Sequence, residues 1–134
     1  MSGPDVVIVG GGPAGLAAAA ALAPDLSVVV LDREDRAGGI PRHCHHGGFG
    51  VRDLRRVLSG PAYADRLVER ALGAGADLRT QAMVTGWAGE RALEVTSPRG
   101  REVLTPGAVV LATGARERSR AARFIAGSRV GGEG

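Results

Sequence analysis

Gly10, Gly12 and Gly15 are spaced as G-x-G-x-x-G at the end of a short apolar run and before an alanine-rich one. Each glycine answers a steric demand. Gly10 permits a tight turn, Gly12 lets main chain approach a diphosphate, and Gly15 lets helix and strand pack closely. The helix that follows presents free N–H groups and the positive end of its dipole to the same place. Asp32 stands 22 residues beyond Gly10 at the end of the next apolar run. A carboxylate there hydrogen-bonds a ribose hydroxyl and repels a 2′-phosphate, which disfavours NADP. Arg33 follows and faces either a phosphate or water; its type and position leave both open. Gly38-Gly39 comes soon after, in a loop placed to reach the phosphates.

Other reactive side chains are less productive. His43, Cys44, His45 and His46 are ligand types for zinc, but adjacent residues rarely converge on one tetrahedral ion and no second ligand cluster exists. An ordinary loop, or a loop shaping a neighbouring site, fits them better. Cys44 is the only cysteine. It has no internal disulfide partner and no CxxC or CxxxxC redox pair, in keeping with a reducing compartment.

The net charge of +3 belongs to one end. Residues 1–114 hold 12 Arg and 12 acidic residues, whereas 115–134 hold five Arg and two Glu. With no basic stripe interleaved with aromatics, nucleic acid is not an expected partner. The run Ala14–Ala23 is too short to span a bilayer, and no basic segment precedes the first apolar run, so the expected location is cytoplasmic and away from membranes.

The elements that must position these residues follow from patterning. Asp5–Val9 and Leu26–Leu31 read as buried parallel strands around a helix from Pro13 to about Ala23, with proline early in the helix where its missing N–H costs nothing. Residues 32–50 read as loop, and a loop of that length in a compact domain is usually functional. A short helix is expected over Val51–Leu58 and a longer one from Pro61 to about Ala74. In the longer helix Tyr63, Leu67, Val68, Ala71 and Leu72 share one face. Asp77–Thr80 is a third parallel strand. Ala82–Trp87, Ala92–Thr96 and Glu102–Leu104, separated by turn residues, make a β-meander. Ala108–Leu111 is the last buried strand and ends in Ala112-Thr113-Gly114. Aromatics are only 3% of the chain, so the core is aliphatic; Tyr63 and Trp87 are expected to pack. The expected fold is α/β: a Rossmann-like parallel sheet of order 3-2-1-4, helices on both faces, and a three-stranded meander. The ligand crevice lies between the first and last strands.

With its meander and its return as AVVLATG, the sequence resembles the glutathione-reductase-like FAD/NAD(P)-dependent oxidoreductases over nearly its whole length. GGIPRHCHHGGFG (38–50) and VVLATGARERSR (109–120) resemble more closely the branch of opine-dehydrogenase and cyanide-synthase-type FAD subunits and related amine or glycerol-phosphate dehydrogenases. The resemblance implies FAD as cofactor. Gly10, Gly12, Pro13, Ala14 and Gly15 would then hold its pyrophosphate, and Asp32 its adenosine ribose. Gly38 and Gly39, with Arg42, would lie along the diphosphate and ribityl side. Val84 would touch adenine through its backbone, and Ala112, Thr113 and Gly114 would pass beside the cofactor.

The chain also departs from that pattern. Members of the family continue past ATG into a nicotinamide-nucleotide domain and then complete the FAD domain. Here there is no second GxGxxG, no later Gly-Asp strand for the ribityl chain, and no substrate domain; position 37 is Ala where some relatives carry Cys. The expectation is an incomplete FAD domain over 1–114 and an Arg- and Gly-rich tail over 115–134 that begins a continuation. The chain is then part of a longer product, a small subunit completed by another oxidoreductase subunit, or an inactive remnant. No general base or substrate anchor is identifiable, and Arg116, Arg118 and Arg120 read as a solvated face.

Overall fold

The computed structural model describes residues 3–115. Arg116, Arg118, Arg120 and the rest of the proposed tail beyond residue 115 lie outside the described residues. The elements are β1 (Val6–Val9), α1 (Pro13–Leu22), β2 (Val28–Leu31), a 3₁₀ turn (Ile40–His43), α2 (Gly60–Gly73), β3 (Asp77–Arg79), β4 (Met83–Trp87), β5 (Leu93–Ser97), β6 (Gly100–Leu104) and β7 (Ala108–Leu111). β3, β2, β1 and β7 form one parallel sheet in that order, and β4, β5 and β6 form a separate antiparallel meander. This is the α/β architecture and strand order expected from patterning.

The two faces of the parallel sheet are covered differently. Ile8 and Val30 point to one side, where Leu16 and Ala19 of α1 and Leu67 and Ala71 of α2 meet them. Val7, Val29 and Leu31 point to the other, against Leu93 and Val95 of the meander. The expectation of helices on both faces is corrected accordingly: α1 and α2 share one face, and the meander takes the other. Both faces of the central strands are dry, so their sequence is uniformly apolar. Ile8, Leu16 and Leu31 are fully buried, each worth about 1.5–3 kcal/mol of transfer free energy. α1 is alanine-rich, which lets it lie close on β1.

Reciprocal bonds pin the lower ends of the central strands. The Asp5 N–H donates to Ser27 Oγ and the Ser27 N–H to Asp5 Oδ2, both at 2.8 Å. α2 is capped by Ser59, whose Oγ accepts the Ala62 N–H at 3.3 Å.

Three further expectations are corrected. Val51–Leu58 is a series of turns, not a helix, closed by an antiparallel bridge between Phe49 and Leu58. There the Gly50 carbonyl accepts both the Leu54 and Arg56 N–H groups, and Arg55 sits at φ 54°, which breaks helical continuity. Leu72 lies outside the buried face of α2, because only Leu67 and Ala71 reach the sheet while Tyr63 and Val68 pack at its margin. Trp87 is exposed on the outer side of the meander and packs in neither core. No helix among the described residues is long and apolar enough to cross a membrane.

Candidate functional site

β1 delivers the chain to the upper rim of the sheet, where Gly10 turns it at φ 113°. The turn is held on both sides: the Gly10 N–H donates to the Leu31 carbonyl at 2.8 Å, and the Ala112 N–H to the Val9 carbonyl at 2.8 Å. A Cβ on Gly10 would overlap the Ala112 carbonyl oxygen, and one on Gly15 would overlap the Gly10 carbonyl oxygen. Both positions therefore need glycine for packing within the protein itself. Gly12 differs. A Cβ there would meet nothing nearer than the Gly39 Cα at 3.8 Å, and its φ of −83° suits any residue. The space above Gly12 is open.

α1 begins directly after Gly12 with Pro13, and Gly12 offers no side-chain cap. Among the described residues, the N–H groups of Gly12, Ala14 and Gly15 have no protein acceptor, whereas Leu16 N–H is satisfied by the Gly12 carbonyl at 2.9 Å. Unpaired donors at a helix start are the standard means of holding a phosphate. Gly12, the one fingerprint glycine that packing does not demand, is the one beside that opening.

Asp32 continues from β2 and is buried, at 8% exposure. Its Oδ2 accepts the Gly11 N–H at 3.1 Å and its Oδ1 the Glu34 N–H at 2.9 Å. The carboxylate thus faces the bend, and two acceptors of a possible four are used. Gly11, which the fingerprint does not assign, is the residue it clasps. A Cβ on Gly11 would come within 2.6 Å of Asp32 Oδ2 and 3.3 Å of the Ala37 Cβ. The only sequence signal for this is the uninterrupted run Gly10-Gly11-Gly12. Arg33 lies apart from the bend, with its exposed side chain 3.8 Å from Glu34.

The Gly38-Gly39 pair lies against the Gly10–Gly12 run. The Gly38 N–H donates to the Gly11 carbonyl at 2.7 Å. Gly38 and Gly39 have φ of 127° and 68°, and a Cβ on Gly39 would stand 2.9 Å from the Gly12 Cα. Arg42 sits in the 3₁₀ turn beyond them; its Nη1 donates to the Arg36 carbonyl at 2.8 Å and its Nη2 is 3.7 Å from Asp35. Val84 lies in β4, partly buried against the lower meander core. The meander is tied to the Asp32 segment: Ala82 N–H donates to the Asp32 carbonyl at 2.9 Å, and Gln81 N–H to the Glu34 carbonyl at 2.8 Å. Ala112 closes on Gly10, and Thr113 and Gly114 continue exposed along the same rim.

The His43–His46 cluster lies on the rim of the following loop. The His46 ring stacks on Phe49 with centroids 5.2 Å apart, and Phe49 on Tyr63 at 5.8 Å. The Cys44 carbonyl accepts the Gly60 N–H at 3.0 Å. No group of three or more His, Cys, Asp or Glu side chains converges as a metal site among the described residues. Tyr63 donates to Asp53 Oδ2 at 2.6 Å. Burial, and then the Asp53 carboxylate, push the Tyr63 phenol up to about 12, while the Tyr63 hydroxyl holds Asp53 below the usual carboxylate range. A surface depression of about 330 Å³ is lined by Leu54, Arg56, Arg66, Glu69 and Arg70. It shares no residue with the bend, and the convergence of free amides and a buried carboxylate marks the bend, not the depression, as the site.

Residues 4–129 match the family model described as pyridine nucleotide-disulphide oxidoreductase. Among curated protein sequences, none matches the chain. A thioredoxin reductase from Gloeobacter violaceus is 35% identical, with a TM-score of 0.69 over 86% of this chain and 35% of that one. The atypical thioredoxin reductase TRi from Desulfovibrio vulgaris Hildenborough is 26% identical, with a TM-score of 0.65 over 85% of this chain and 37% of its own. CabE, an aromatic hydroxylase from angucycline biosynthesis, is also 26% identical, with a TM-score of 0.67 over 91% of this chain and 33% of its own. The chain spans about a third of the length of these solved structures. The family match covers the bend, the Gly38-Gly39 pair and the returning strand β7, and the chain belongs to the pyridine nucleotide-disulphide oxidoreductase family.

Proposed function

We propose that this chain is the FAD-binding part of a flavin-dependent oxidoreductase. The observation that carries the reading is the pairing of free Gly12, Ala14 and Gly15 amides with an open space above Gly12, beside a buried Asp32 whose carboxylate faces the same bend. A diphosphate fits the amides, and the two unused acceptors of Asp32 fit the hydroxyls of the adenosine ribose. Pro13 opens the helix without a competing donor. Gly10 and Gly15 keep the bend compact, and Gly38 and Gly39 line the diphosphate and ribityl side. The Val84 backbone would face adenine, and Ala112, Thr113 and Gly114 would flank the cofactor where β7 ends.

Bound FAD would supply a hydride acceptor, while the protein supplies position and electrostatics. The branch resemblance of residues 38–50 and 109–120 favours a donor carbon bearing an amine or hydroxyl, with a nicotinamide nucleotide as a further partner. On this reading residues 1–114 are the binding unit. The purified chain is expected to carry or take up FAD, seen as flavin absorbance and tight binding by titration. Preference for NAD over FAD would defeat the proposal.

A second reading is a non-catalytic FAD-binding subunit completed by a partner chain. It draws on the sheet edge: β7 pairs only with β1 among the described residues, and Leu111 at its end is 65% exposed. Oxidoreductase activity that appears only on co-expression with a neighbouring oxidoreductase chain supports this reading, and activity of the chain alone excludes it.

A further inference from the structure

We infer that Arg42 is a positioning residue: it clamps Gly38-Gly39 against the Gly10–Gly12 bend, and so sets the width of the nucleotide cradle without touching the nucleotide. The inference rests on the functional reading above for its ligand and on the following geometry for the clamp. Three contacts of one residue enclose the glycine pair. The Arg42 backbone N–H donates to the Gly39 carbonyl at 3.2 Å, on the far side of the pair. Its Nη1 donates to the Arg36 carbonyl at 2.8 Å, on the near side. Its stem lies under Gly38, where a Cβ would come within 2.8 Å of the Arg42 Cγ and 3.0 Å of its Cδ.

The pair so held is what meets the bend. Gly38 bonds the Gly11 carbonyl at 2.7 Å, and Gly39 abuts Gly12, above which the space is open. Gly38 and Gly39 both have positive φ and no side chains of their own to anchor them. Their position must therefore be imposed from outside. The Arg42 side chain is only 17% exposed, although the bond from its Nη1 to Arg36 lies at an exposed position, whereas Asp35 at 3.7 Å is 73% exposed and adds little. A guanidinium committed in this way to a main-chain carbonyl is spent on shape.

The test compares the wild-type chain with Arg42→Met, which keeps the stem and loses the donors, and Arg42→Lys, which restores one donor. Amide hydrogen exchange without ligand is the first readout. Gly38 is expected to exchange at least tenfold faster in Arg42→Met, with β2 amides unchanged and Arg42→Lys in between. Equal Gly38 exchange in all three chains overturns the clamp. FAD titration at several salt concentrations is the second. Arg42→Met is expected to bind at least tenfold more weakly with an unchanged salt dependence. A shallower salt dependence in the variant means that the guanidinium meets phosphate directly, and also overturns it. If Arg42→Met does not fold, Arg42→Lys against wild type carries the same comparison. A wild-type chain that binds no FAD but shows the Gly38 response overturns the functional reading and leaves the clamp standing.

Discussion

The carbonyl oxygen of Ala112 occupies the space that a side chain on Gly10 would need. The first strand's turn and the last strand's exit are thus one packed unit, and the rim of the sheet is set before any ligand arrives. Gly10→Ala meets this obstruction at φ 113°. It is expected to destabilise the fold by about 2–4 kcal/mol, through both strain and overlap with main chain. Urea denaturation of the two chains checks this; a loss below about 1 kcal/mol would show that β7 yields easily.

Gly12→Ala should behave in the opposite way. Its methyl has no protein atom nearer than 3.8 Å, so stability should stay within about 0.5 kcal/mol of wild type. The methyl would stand where the diphosphate is proposed to lie, so FAD affinity should fall tenfold or more. Calorimetric titration alongside thermal unfolding separates the two effects. Unchanged affinity would remove Gly12 from the site.

Asp32→Ala leaves the Gly11 and Glu34 N–H groups without their acceptors in a sheltered position. A loss of about 2–6 kcal/mol is expected, from a penalty of about 1–3 kcal/mol for each of the two orphaned donors. Asp32→Asn keeps one acceptor oxygen and should fall between the two. Stability in the order wild type, Asn, Ala, measured by chemical denaturation, is the expected result. Equal stability of Asn and Ala would mean that only one of the two bonds matters.

The Tyr63–Asp53 bond gives the loop after Gly38-Gly39 a dependence on pH at both extremes. Asp53 is held below its usual value, so its contribution is complete above pH 3.8 and disappears as pH falls through the lowered value. Tyr63 is raised to about 12, so its contribution is complete below pH 10 and disappears as pH climbs toward 12. Tyr63→Phe should cost about 1 kcal/mol at neutral pH, the net worth of one exposed charge-assisted bond. It should also flatten both limbs of a stability profile measured from pH 2 to pH 12. An unaltered acid limb in Tyr63→Phe would place the acid sensitivity elsewhere.

Patterning revealed the strand order because β1 and β2 are buried on both faces and, with the partly exposed edge strand β7, read as short unbroken aliphatic runs. The same uniformity hid what covers each face: a continuous apolar run cannot tell a helix layer from a meander. Val51–Leu58 has apolar residues at helical spacing, yet so short a segment cannot nucleate a helix alone, and Gly50, Arg55 and the Asp53–Tyr63 bond hold it in turns. Within the site, the separation of Gly10 and Asp32 already implied a carboxylate one strand away from the bend. The target of Arg42 left no trace, because its partner is a main-chain carbonyl, and every residue has one.

Nearly every donor at the bend is a peptide group, and the fingerprint glycines contribute by leaving room. Evolution can therefore replace most neighbouring side chains without altering a single gripping atom, as long as Asp32 stays and no bulk enters Gly10, Gly11, Gly12 or Gly15. A deep mutational scan of this stretch should look like a lock with few pins: a handful of intolerant positions, set by volume at the glycines and by the carboxylate at Asp32, among many permissive ones.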